Sequence, residues 1–273
     1  MAGQCSPAIQ MLDMKDKVMI VTGAAMGLGL AAAEELAAQG AKLVLVDYNQ
    51  EAMDKAVAGL KEKFPSLQVV SVKADVSNED QVKAYVNEAV SRFGRIDGLY
   101  NNAGIEGRQS PLIEYDLDVF KKVVDINLMG VYYALRYVIP VMKKQGYGRI
   151  VNVASVGGIR GVVNQTPYVA TKHAVTGLTK NAAIENGRDG ILTNAIAPGA
   201  ILTPMVAEAF RQVNPDDPKA AEAEYASRNP TRSLGQPVAV AKVVAFLLSE
   251  DNGYVNGQVL AIDGGESNLY GNP

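Results

Sequence analysis

Residues 18–47, VMIVTGAAMGLGLAAAEELAAQGAKLVLVD, decide the fold of this 273-residue chain. The β-branched, apolar run VMIVTG (18–23) predicts a buried strand, and KLVLVD (42–47) predicts a second one. A glycine-rich turn and a helical segment rich in alanine and leucine separate the two strands. Strands that alternate with helices in this way run parallel, so the stretch predicts one strand–helix–strand unit of a parallel sheet.

The same alternation of strand and helix continues along the chain. Strands without polar interruptions indicate a sheet covered on both faces, and no internal repeat or linker divides the sequence. We therefore predict an α/β protein, a single-domain doubly wound Rossmann fold whose parallel seven-stranded sheet has helices on both faces. Further strands are predicted over residues 69–76, 96–104, 148–155, 191–199 and 259–265, and further helices over residues 50–63, 79–93, 117–144 and 166–188.

Residues 14–273 are expected to form this domain, preceded by a flexible N-terminal segment over residues 1–13. One compositional break lies within it, because residues 202–237 contain TPM, NPDDPK, RNPTR and GQP. A charged, proline-rich loop after a strand end suits a substrate lid, here at about residues 200–237, and suits an ordinary surface loop equally well.

Composition and charge exclude several classes of protein. A net charge of -3 gives no reason to expect nucleic acid or an acidic membrane surface as a partner. The first ten residues lack the features of a signal peptide, and no apolar run approaches the ~20 residues that span a bilayer. Cys5 is the single cysteine, so no intrachain disulfide can form and a cytoplasmic protein is expected. With one cysteine and one histidine, an ordinary zinc site is excluded and no metal is expected, although an all-oxygen site stays open.

The turn after the first strand, TGAAMGLG (22–29), has the composition of a phosphate-binding loop. Glycine permits positive φ angles and a close approach of the backbone to a pyrophosphate, while the helix N-terminus supplies N–H donors. The spacing of Gly23, Gly27 and Gly29 differs from the G-x-G-x-x-G pattern, and no Lys-Ser or Lys-Thr follows as in a P-loop. The turn therefore predicts a dinucleotide site, although a glycine-rich turn alone is a weak signal.

An acid at the end of the second strand indicates which dinucleotide binds. Asp47 can accept hydrogen bonds from the hydroxyls of the adenosine ribose, and its charge would repel a 2′-phosphate. Neither the glycine-rich loop nor residues 47–50 contain an Arg or Lys that would bind such a phosphate, so NAD(H) is predicted over NADP(H). Asp75 and Asn101, at the ends of the third and fourth strands, are expected near the adenine and the ribose.

Tyr168 is followed four residues later by Lys172, a spacing that no other of the twelve tyrosines has. Four residues are about one helical turn, so the phenol and the ammonium would lie on the same helix face. A nearby cation favours the phenolate and lowers the pKa of the phenol from its usual value of about 10. Thr166 and Pro167 fit the N-cap and first position of this helix, whereas His173 points elsewhere.

These features occur together, in a fixed order, in one large enzyme family. The chain resembles the short-chain dehydrogenases and reductases over about residues 14–265, because order and spacing agree throughout. Within that family, residues 101–111, 154–165 and 194–206 resemble those of NAD-dependent reductases of cyclic ketones and diketones. The resemblance is carried by TGAAMGLG, Asp47, ADV (74–76), NNAG (101–104), Asn127, Ser155, YVATK (168–172) and PG (198–199).

The resemblance implies four catalytic residues. Tyr168 would be the general acid in reduction, and the base in oxidation, of the substrate oxygen. Ser155 would donate a hydrogen bond to the same oxygen and stabilise its developing charge. Lys172 would lower the pKa of the phenol and bind the nicotinamide ribose, and Asn127 would hold a water that links Lys172 to solvent.

The resemblance also implies two sets of binding residues. The NAD(H) set is Gly23, Met26, Gly27, Leu28, Gly29, Asp47, Asp75, Val76, Asn102, Ala103, Gly104, Tyr168, Lys172, Pro198, Gly199, Ile201 and Thr203. The substrate is expected between Ser155, Tyr168 and the lid, against Gly157, Gly158, Ile159, Asn164, Gln165, Ala200, Ile201 and Met205. Glu106 and Arg108 are expected near the rim. Most of these walls are small or apolar, which suits a compact neutral carbonyl compound, whereas Arg108 and Arg160 could bind a carboxylate. The resemblance implies that this compound is a small cyclic ketone or diketone of the levodione type.

Other functions are weighed against NAD(H)-dependent hydride transfer. A hydrolase that uses Ser155 is excluded, because Val153 occupies the first glycine position of a G-x-S-x-G elbow. A non-catalytic NAD-sensing protein would not need the four catalytic residues together. A 3-oxoacyl reductase usually prefers NADPH, which Asp47 opposes, and a diol or polyol dehydrogenase stays open. The resemblance also implies a homotetramer, with the helices at 117–144 and 166–188 and the C-terminal tail at the subunit contacts.

Overall fold

The structure is a computed structural model that describes residues 12–269. In that range, seven parallel strands form one sheet in the order β3-β2-β1-β4-β5-β6-β7, which confirms the predicted doubly wound α/β fold. The strands are β1 (Val18–Thr22), β2 (Lys42–Asp47), β3 (Val69–Lys73), β4 (Gly98–Asn101), β5 (Gly148–Val153), β6 (Ile191–Pro198) and β7 (Val259–Ile262).

Helices cover both faces of the sheet. Successive side chains of a strand point to opposite faces. Met19 and Val21 of β1 therefore pack in one core, and Val18 and Ile20 pack in the other. The helices are α1 (Gly27–Ala38), α2 (Gln50–Lys63), α3 (Glu79–Phe93), α4 (Leu117–Val124), α5 (Gly130–Gln145), α6 (Thr166–Asn186), α7 (Pro204–Val213), α8 (Pro218–Arg228) and α9 (Pro237–Leu248).

The two cores explain why the strands are apolar on both sides. Helices α1, α2 and α9 contribute to the first core through buried side chains such as Leu36, Leu60 and Val244. Helices α3, α5 and α6 contribute to the second core through side chains such as Val86 and Val138. Each face of the sheet is thus shielded from water, as the uninterrupted apolar runs predict.

The strand order reverses direction between β1 and β4. From β1 the chain moves outward to β2 and β3, and it then returns to pair β4 with the other side of β1. At such a switch point the connections leave in opposite directions and open a crevice at the carboxyl ends of the strands. The site therefore lies where β1, β2 and β4 end.

The segment predicted as a proline-rich loop folds into two helices, α7 and α8, so the loop prediction was wrong for most of residues 202–237. Pro204 and Pro218 lie at the first positions of these helices, where a missing N–H has no cost. Thr203 accepts a hydrogen bond from the Val206 N–H, and Asp217 accepts one from Ala220 N–H. Both prolines therefore begin helices, whereas the sequence analysis treated the proline-rich stretch as a loop.

The long helix predicted over residues 117–144 is interrupted. A π-helical turn over Asp125–Met129 separates α4 from α5, and the helix then ends at Gly146 with φ 66°. The predicted strands over 69–76 and 96–104 are also shorter, ending at Lys73 and Asn101. The residues that follow leave the sheet and form the rim of the crevice. Asp75, for example, accepts hydrogen bonds from the Ser77 N–H and hydroxyl.

The described chain starts inside the predicted N-terminal segment. Leu12 packs against the first core and Met14 is fully buried, while residues 1–11 of the predicted flexible segment lie outside the described residues. Among residues 12–269, no helix has both the length and the apolar composition to cross a membrane.

Candidate active site

A cleft of about 530 Å³ opens at the carboxyl edge of the sheet, at the switch point between β1 and β4. Almost all residues expected to contact a dinucleotide line this cleft, although they come from distant parts of the chain. They are Gly23, Met26, Gly27, Leu28, Asp47, Asp75, Val76, Asn102, Ala103, Gly104, Tyr168, Lys172, Pro198, Gly199, Ile201 and Thr203.

The glycine-rich turn forms one wall of the cleft. Gly23 and Gly27 have φ angles of 64° and 57°, which side chains other than glycine rarely adopt. Gly29 lies behind the wall, and a Cβ there would be 2.0 Å from the carbonyl oxygen of Gly23. Helix α1 therefore packs tightly under the turn, and the backbone of its first residues, Gly27 and Leu28, faces the cleft. Gly29 has a packing role in place of the expected contact.

The turn is held in shape by the end of β4. The Asn102 carboxamide donates hydrogen bonds to the carbonyl oxygens of Thr22 and Gly23, at 2.9 and 3.2 Å. The Thr22 hydroxyl in turn accepts from the backbone N–H groups of Asn102 and Ala103. Asn101 was expected at the ribose but is 3% exposed and donates to the Asn152 side chain, so it lies beneath the site.

Asp47 is fixed at the end of β2. Its two carboxylate oxygens accept hydrogen bonds from the N–H groups of Ala25 and Asn49, at 3.0 and 2.9 Å. The carboxylate is half-buried and still lines the cleft. Its charge is therefore directed at the part of the cleft next to the glycine-rich turn, where an adenosine ribose would lie.

Two residues that the sequence did not indicate also line the cleft, one from α4 and one from the π-helical turn that follows it. Lys122 and Ile126 are four residues apart and so share one face of the helical segment. The four-residue spacing can be read from the sequence, but the sequence does not show which face of the helical segment lines the cleft. Among residues 12–269, no three side chains of His, Cys, Asp or Glu come close enough to hold a metal ion.

Ser155, Tyr168 and Lys172 meet at the inner end of the cleft. Ser155 follows β5, and its Oγ accepts a hydrogen bond from the Gly157 N–H at 3.1 Å. Lys172 is 4% exposed, and its Nζ lies 5.5 Å from the centroid of the Tyr168 ring. The ammonium donates to the Val153 carbonyl oxygen at 2.7 Å, which fixes it beneath the floor of the cleft.

Asn127 lies just behind this group, in the π-helical turn. Its side chain is fully buried and bonds both the N–H and the carbonyl oxygen of Ile105, at 2.8 Å each. A Cβ added at Gly104 would lie 3.1 Å from Asn127 Oδ1 and 3.6 Å from Lys172 Nζ. Asn127 thus fixes the chain after β4 at a position next to Lys172. The water relay implied for Asn127 stays a prediction.

The pKa of Tyr168 is shifted in the direction opposite to the one expected. Burial raises it to about 12, while the Ser155 hydroxyl lowers it and the charge of Glu106 raises it further. Burial also lowers the pKa of Lys172, to about 8. The lowering of the phenol pKa expected from Lys172 is not found: desolvation of the phenol is the largest cause of the shift, and the ammonium is itself buried and bonded to Val153.

The start of the helix that carries Tyr168 is shifted by one residue. Gln165 is the N-cap of α6, so Thr166 and Pro167 occupy the first turn, and the predicted N-cap at Thr166 was wrong. Proline fits either early position because neither N–H has an intrahelical partner. The Gln165 side chain turns to Glu106 and donates to its carboxylate.

Some of the expected substrate residues line the inner end of the cleft, and others lie outside it. Ser155, Tyr168, Ile201 and Met205 line it. A Cβ added at Gly157 would be 3.5 Å from the Tyr168 ring, so this glycine lies against the tyrosine. The remaining expected residues lie outside the cleft lining: Gly158, Ile159, Asn164, Gln165 and Ala200.

Neither arginine considered as a carboxylate binder points a free charge into the cleft. Arg108 is exposed. Arg160 pairs with Glu266, whose carboxylate also accepts from the Tyr225 hydroxyl at 2.6 Å. Tyr225 belongs to α8, and its ring packs edge-on against Phe210 of α7 at 5.8 Å. Helices α7 and α8 are thereby joined to the segment around Glu266, and the charge of Arg160 is neutralised.

Lys172 makes stability depend on pH in a defined window. Its pKa of about 8 in the folded protein lies below its ordinary value of 10.5, so the unfolded chain binds the proton more tightly. The contribution of Lys172 to the free energy of unfolding is lowest below pH 8, and it rises between pH 8 and 10.5 by about 3 kcal/mol in total. We expect the free energy of unfolding in urea, wild type minus Lys172→Met, to increase across that window. A difference that stays constant with pH would contradict the shift.

A doubly wound sheet with a dinucleotide cleft, lined at its inner end by a buried Ser and Lys and a half-buried Tyr, defines an NAD(P)-dependent oxidoreductase. A family model described as enoyl-(acyl carrier protein) reductase matches residues 23–267. Levodione reductase of Leifsonia aquatica is 51% identical over 93% of this chain and 96% of its own length. The chain belongs to the short-chain dehydrogenase/reductase family.

Two further comparisons add to this placement. Cyclohexanol dehydrogenase of Acinetobacter sp. (strain SE19) is 41% identical over 91% of this chain and 94% of its own. The crystal structure of levodione reductase superposes with a TM-score of 0.93, covering 94% of this chain and all of that one. Solved relatives carry either NAD or NADP, so the family alone leaves the choice of cofactor open.

Proposed function

We propose that this protein is an NAD(H)-dependent oxidoreductase that transfers a hydride between nicotinamide and a carbonyl or secondary alcohol. The substrate we propose is a small neutral cyclic ketone or diketone of the levodione type. The observation that carries this proposal is the meeting of Ser155, Tyr168 and Lys172 in one cleft with the glycine-rich turn and Asp47. The names of the levodione reductase and cyclohexanol dehydrogenase relatives support a cyclic substrate.

The cleft fits a dinucleotide. Backbone N–H groups at the start of α1 would bind the pyrophosphate, since glycine keeps that wall free of side chains. Asp47 would accept hydrogen bonds from the adenosine ribose. Gly199 lies at the opposite end, where a Cβ would come within 3.0 Å of Glu266 Oε2, and Pro198, Ile201 and Thr203 line the wall beside it. When bound, the nicotinamide would supply or accept the hydride.

Tyr168 would move the proton. Because its pKa is about 12, the phenol is protonated at neutral pH, which is the form that donates to a carbonyl oxygen during reduction. Lys172 lies 5.5 Å from the ring, and its lowered pKa makes it a better proton donor near neutral pH. Lys172 would therefore restore the proton to Tyr168 after each turnover.

Ser155 would orient the substrate oxygen. Its Oγ already accepts from the Gly157 N–H, so its own hydrogen is free to be donated into the cleft. A hydrogen bond aimed at the position where negative charge develops stabilises the transition state more than the ground state. Ser155 and Tyr168 together would bind one oxygen from two sides.

The charges around the cleft favour a neutral substrate. Arg160 is paired with Glu266, and neither Arg160 nor Arg108 is among the residues that line the cleft, so no arginine faces an acidic substrate there. Glu106 lies close enough to Tyr168 for its charge to raise the tyrosine pKa, and it would repel an anion. A diol or polyol dehydrogenase is the second candidate, because a carboxylate near the reacting group favours a hydroxyl-bearing substrate.

Initial rates with a panel of carbonyl compounds test the proposed function. NADH oxidation, followed by absorbance, would be measured with cyclohexanone, cyclic diketones, a 3-oxoacyl thioester and sugar ketoses, and repeated with NADPH. We expect turnover of the cyclic compounds with NADH to exceed all the others. Turnover confined to the thioester or to the ketoses would contradict the proposed substrate class while leaving the hydride transfer in place.

Asp47 is expected to decide between NADH and NADPH. Asp47→Ala removes hydrogen bonds to a charged group, worth about 1.5–3 kcal/mol, so kcat/KM for NADH should fall roughly 10- to 100-fold. NADPH should be accepted better, because the repulsion of its phosphate is lost. The ratio of kcat/KM for the two cofactors is the measurement, with Asp54→Ala on the exposed side of α2 as control. An unchanged ratio in Asp47→Ala would mean that another group selects the cofactor.

We further propose that four copies of the chain assemble. Apolar side chains are exposed on the helices expected at the subunit contacts, among them Leu117, Tyr132 and Ile184, which is 78% exposed. Exposed apolar groups on neighbouring helices favour burial against another subunit. Light scattering should give four times the mass of one chain, and a single monomer peak would contradict the assembly.

A further inference from the structure

Glu106 is a half-buried carboxylate that the proposed chemistry does not use, and it lies next to the substrate end of the cleft, just outside its lining. It follows Gly104 and Ile105, which line the cleft after β4. The Gln165 side chain donates a hydrogen bond to its Oε1. Gln165 caps α6 three residues before Tyr168, so it lies on the same side of the helix as the tyrosine.

The electrostatics place Glu106 near the reacting group. The charge of Glu106 is among the causes that raise the pKa of Tyr168. Burial raises the pKa of Glu106 itself, the hydrogen bonds from Gln109 and Gln165 lower it, and the charge of Glu208 in α7 raises it. Glu106 thus lies within reach of the charges of both Tyr168 and α7, and its pKa is raised overall, chiefly by burial, while the amide donors favour its charged form.

A structural role does not account for this carboxylate. The same segment is already fixed by the Asn127 side chain at Ile105 and by a bridge between Ser110 and Gln165. The Gln109 N–H also donates to the Gln212 side chain of α7 at 3.2 Å. Partial burial of a carboxylate costs free energy, so a neutral residue would serve better if it only connected these elements.

We propose, on the basis of the hydride-transfer function above, that Glu106 determines substrate specificity. It accepts a hydrogen bond from a second hydroxyl of a cyclic substrate while the first oxygen lies between Ser155 and Tyr168. A carboxylate oxygen has lone pairs left after one amide bond, and it accepts from a hydroxyl but not from a ketone. This hydrogen bond therefore forms with a cyclic diol or a hydroxyketone and is absent with a diketone, and cyclic acids are rejected by like charge.

The test compares ring alcohols with one and two hydroxyls. NAD⁺ reduction would be measured with cyclohexanol and with cyclohexane-1,3-diol and -1,4-diol, in wild type and in Glu106→Gln. Wild type should prefer at least one diol by about 10-fold or more in kcat/KM. Glu106→Gln should lower that preference by about 10- to 100-fold, change the rate with cyclohexanol far less than the rate with the preferred diol, and bind NADH as wild type does.

Glu114→Gln, an exposed position on the same connection, is the matched control and should behave as wild type. Equal rates for cyclohexanol and both diols in wild type would overturn the role of Glu106. Equal losses on all three alcohols in Glu106→Gln would overturn it as well, because they would indicate a structural effect. Absence of NAD⁺ reduction with any ring alcohol, and of NADH oxidation with any ring ketone, would instead remove the proposed function and this role with it.

Discussion

Tyr168→Phe is expected to lower kcat for a cyclic ketone by at least about 100-fold while NADH binds as in wild type. The substitution removes one hydroxyl and keeps the ring that lies against Gly157. The phenol lines the cleft beside Ser155 and is protonated at neutral pH, because burial raises its pKa to about 12. Without it, the carbonyl oxygen gains negative charge with no proton donor.

Two measurements separate this expectation from a structural defect. Steady-state rates give kcat, and a fluorescence titration gives the affinity for NADH. Tyr254→Phe, at a side chain that is 99% exposed, is the matched control and should leave both unchanged. Turnover retained within tenfold in Tyr168→Phe would remove Tyr168 from the mechanism, whereas loss of NADH binding would point to a collapsed cleft.

Ser155→Ala is expected to lower kcat by about 100- to 1,000-fold, the usual effect of removing one donor to a developing oxyanion. The alanine side chain fills less space, and it leaves the Gly157 N–H without the Oγ that accepts from it. The loss should appear mainly in kcat, because the hydrogen bond strengthens as charge develops on the substrate oxygen. NADH affinity should stay close to that of wild type, since Ser155 lies at the substrate end.

A double variant tests whether Ser155 and Tyr168 act on the same substrate oxygen. If Ser155 and Tyr168 bind the same oxygen, Ser155→Ala combined with Tyr168→Phe should cost little more than the larger single loss. Ser71→Ala, on the exposed side of β3, is the control for a serine outside the site. Fully multiplicative losses in the double variant would mean that the two hydroxyls act on different atoms.

The fold was predictable because its signals are local. Consecutive residues within 18–47 predict the strands, the turn and the helix. The parallel pairing of the strands follows from their alternation with helices. Asp47 was predictable for the same reason, since its position at the end of β2 depends only on the strand pattern. The structure confirms the sheet and places Asp47 beside the glycine-rich turn, bonded to the Ala25 N–H.

The features that the sequence did not predict depend on contacts between distant residues. The π-helical turn at Asp125–Met129 accompanies the bonds of Asn127 to Ile105, which lies twenty-two residues away. The direction of the Tyr168 pKa shift depends on burial, which no i,i+4 spacing reveals. Helices α7 and α8 were not predicted, because a proline such as Pro204 or Pro218 can either break a helix or begin one.

The contact between Glu106 and Gln165 shows the same limit. The two residues are 59 positions apart in the chain and meet because β4 and α6 open onto the same edge of the sheet. The sequence placed Glu106 near the rim without a partner. Glu106 is a candidate for substrate selection because it lies near Tyr168 in the folded protein.

The most direct test of hydride transfer uses NADH that carries deuterium at C4 of the nicotinamide. Wild-type protein would be incubated with this cofactor and a cyclic diketone, and the hydroxyketone product analysed by mass spectrometry and NMR. We predict that one deuterium is found at the new carbinol carbon, from one face of the cofactor, and that the product of Tyr168→Phe forms far more slowly with the same label. Consumption of NADH without deuterium at that carbon, or no reaction with any ring carbonyl, would contradict the account.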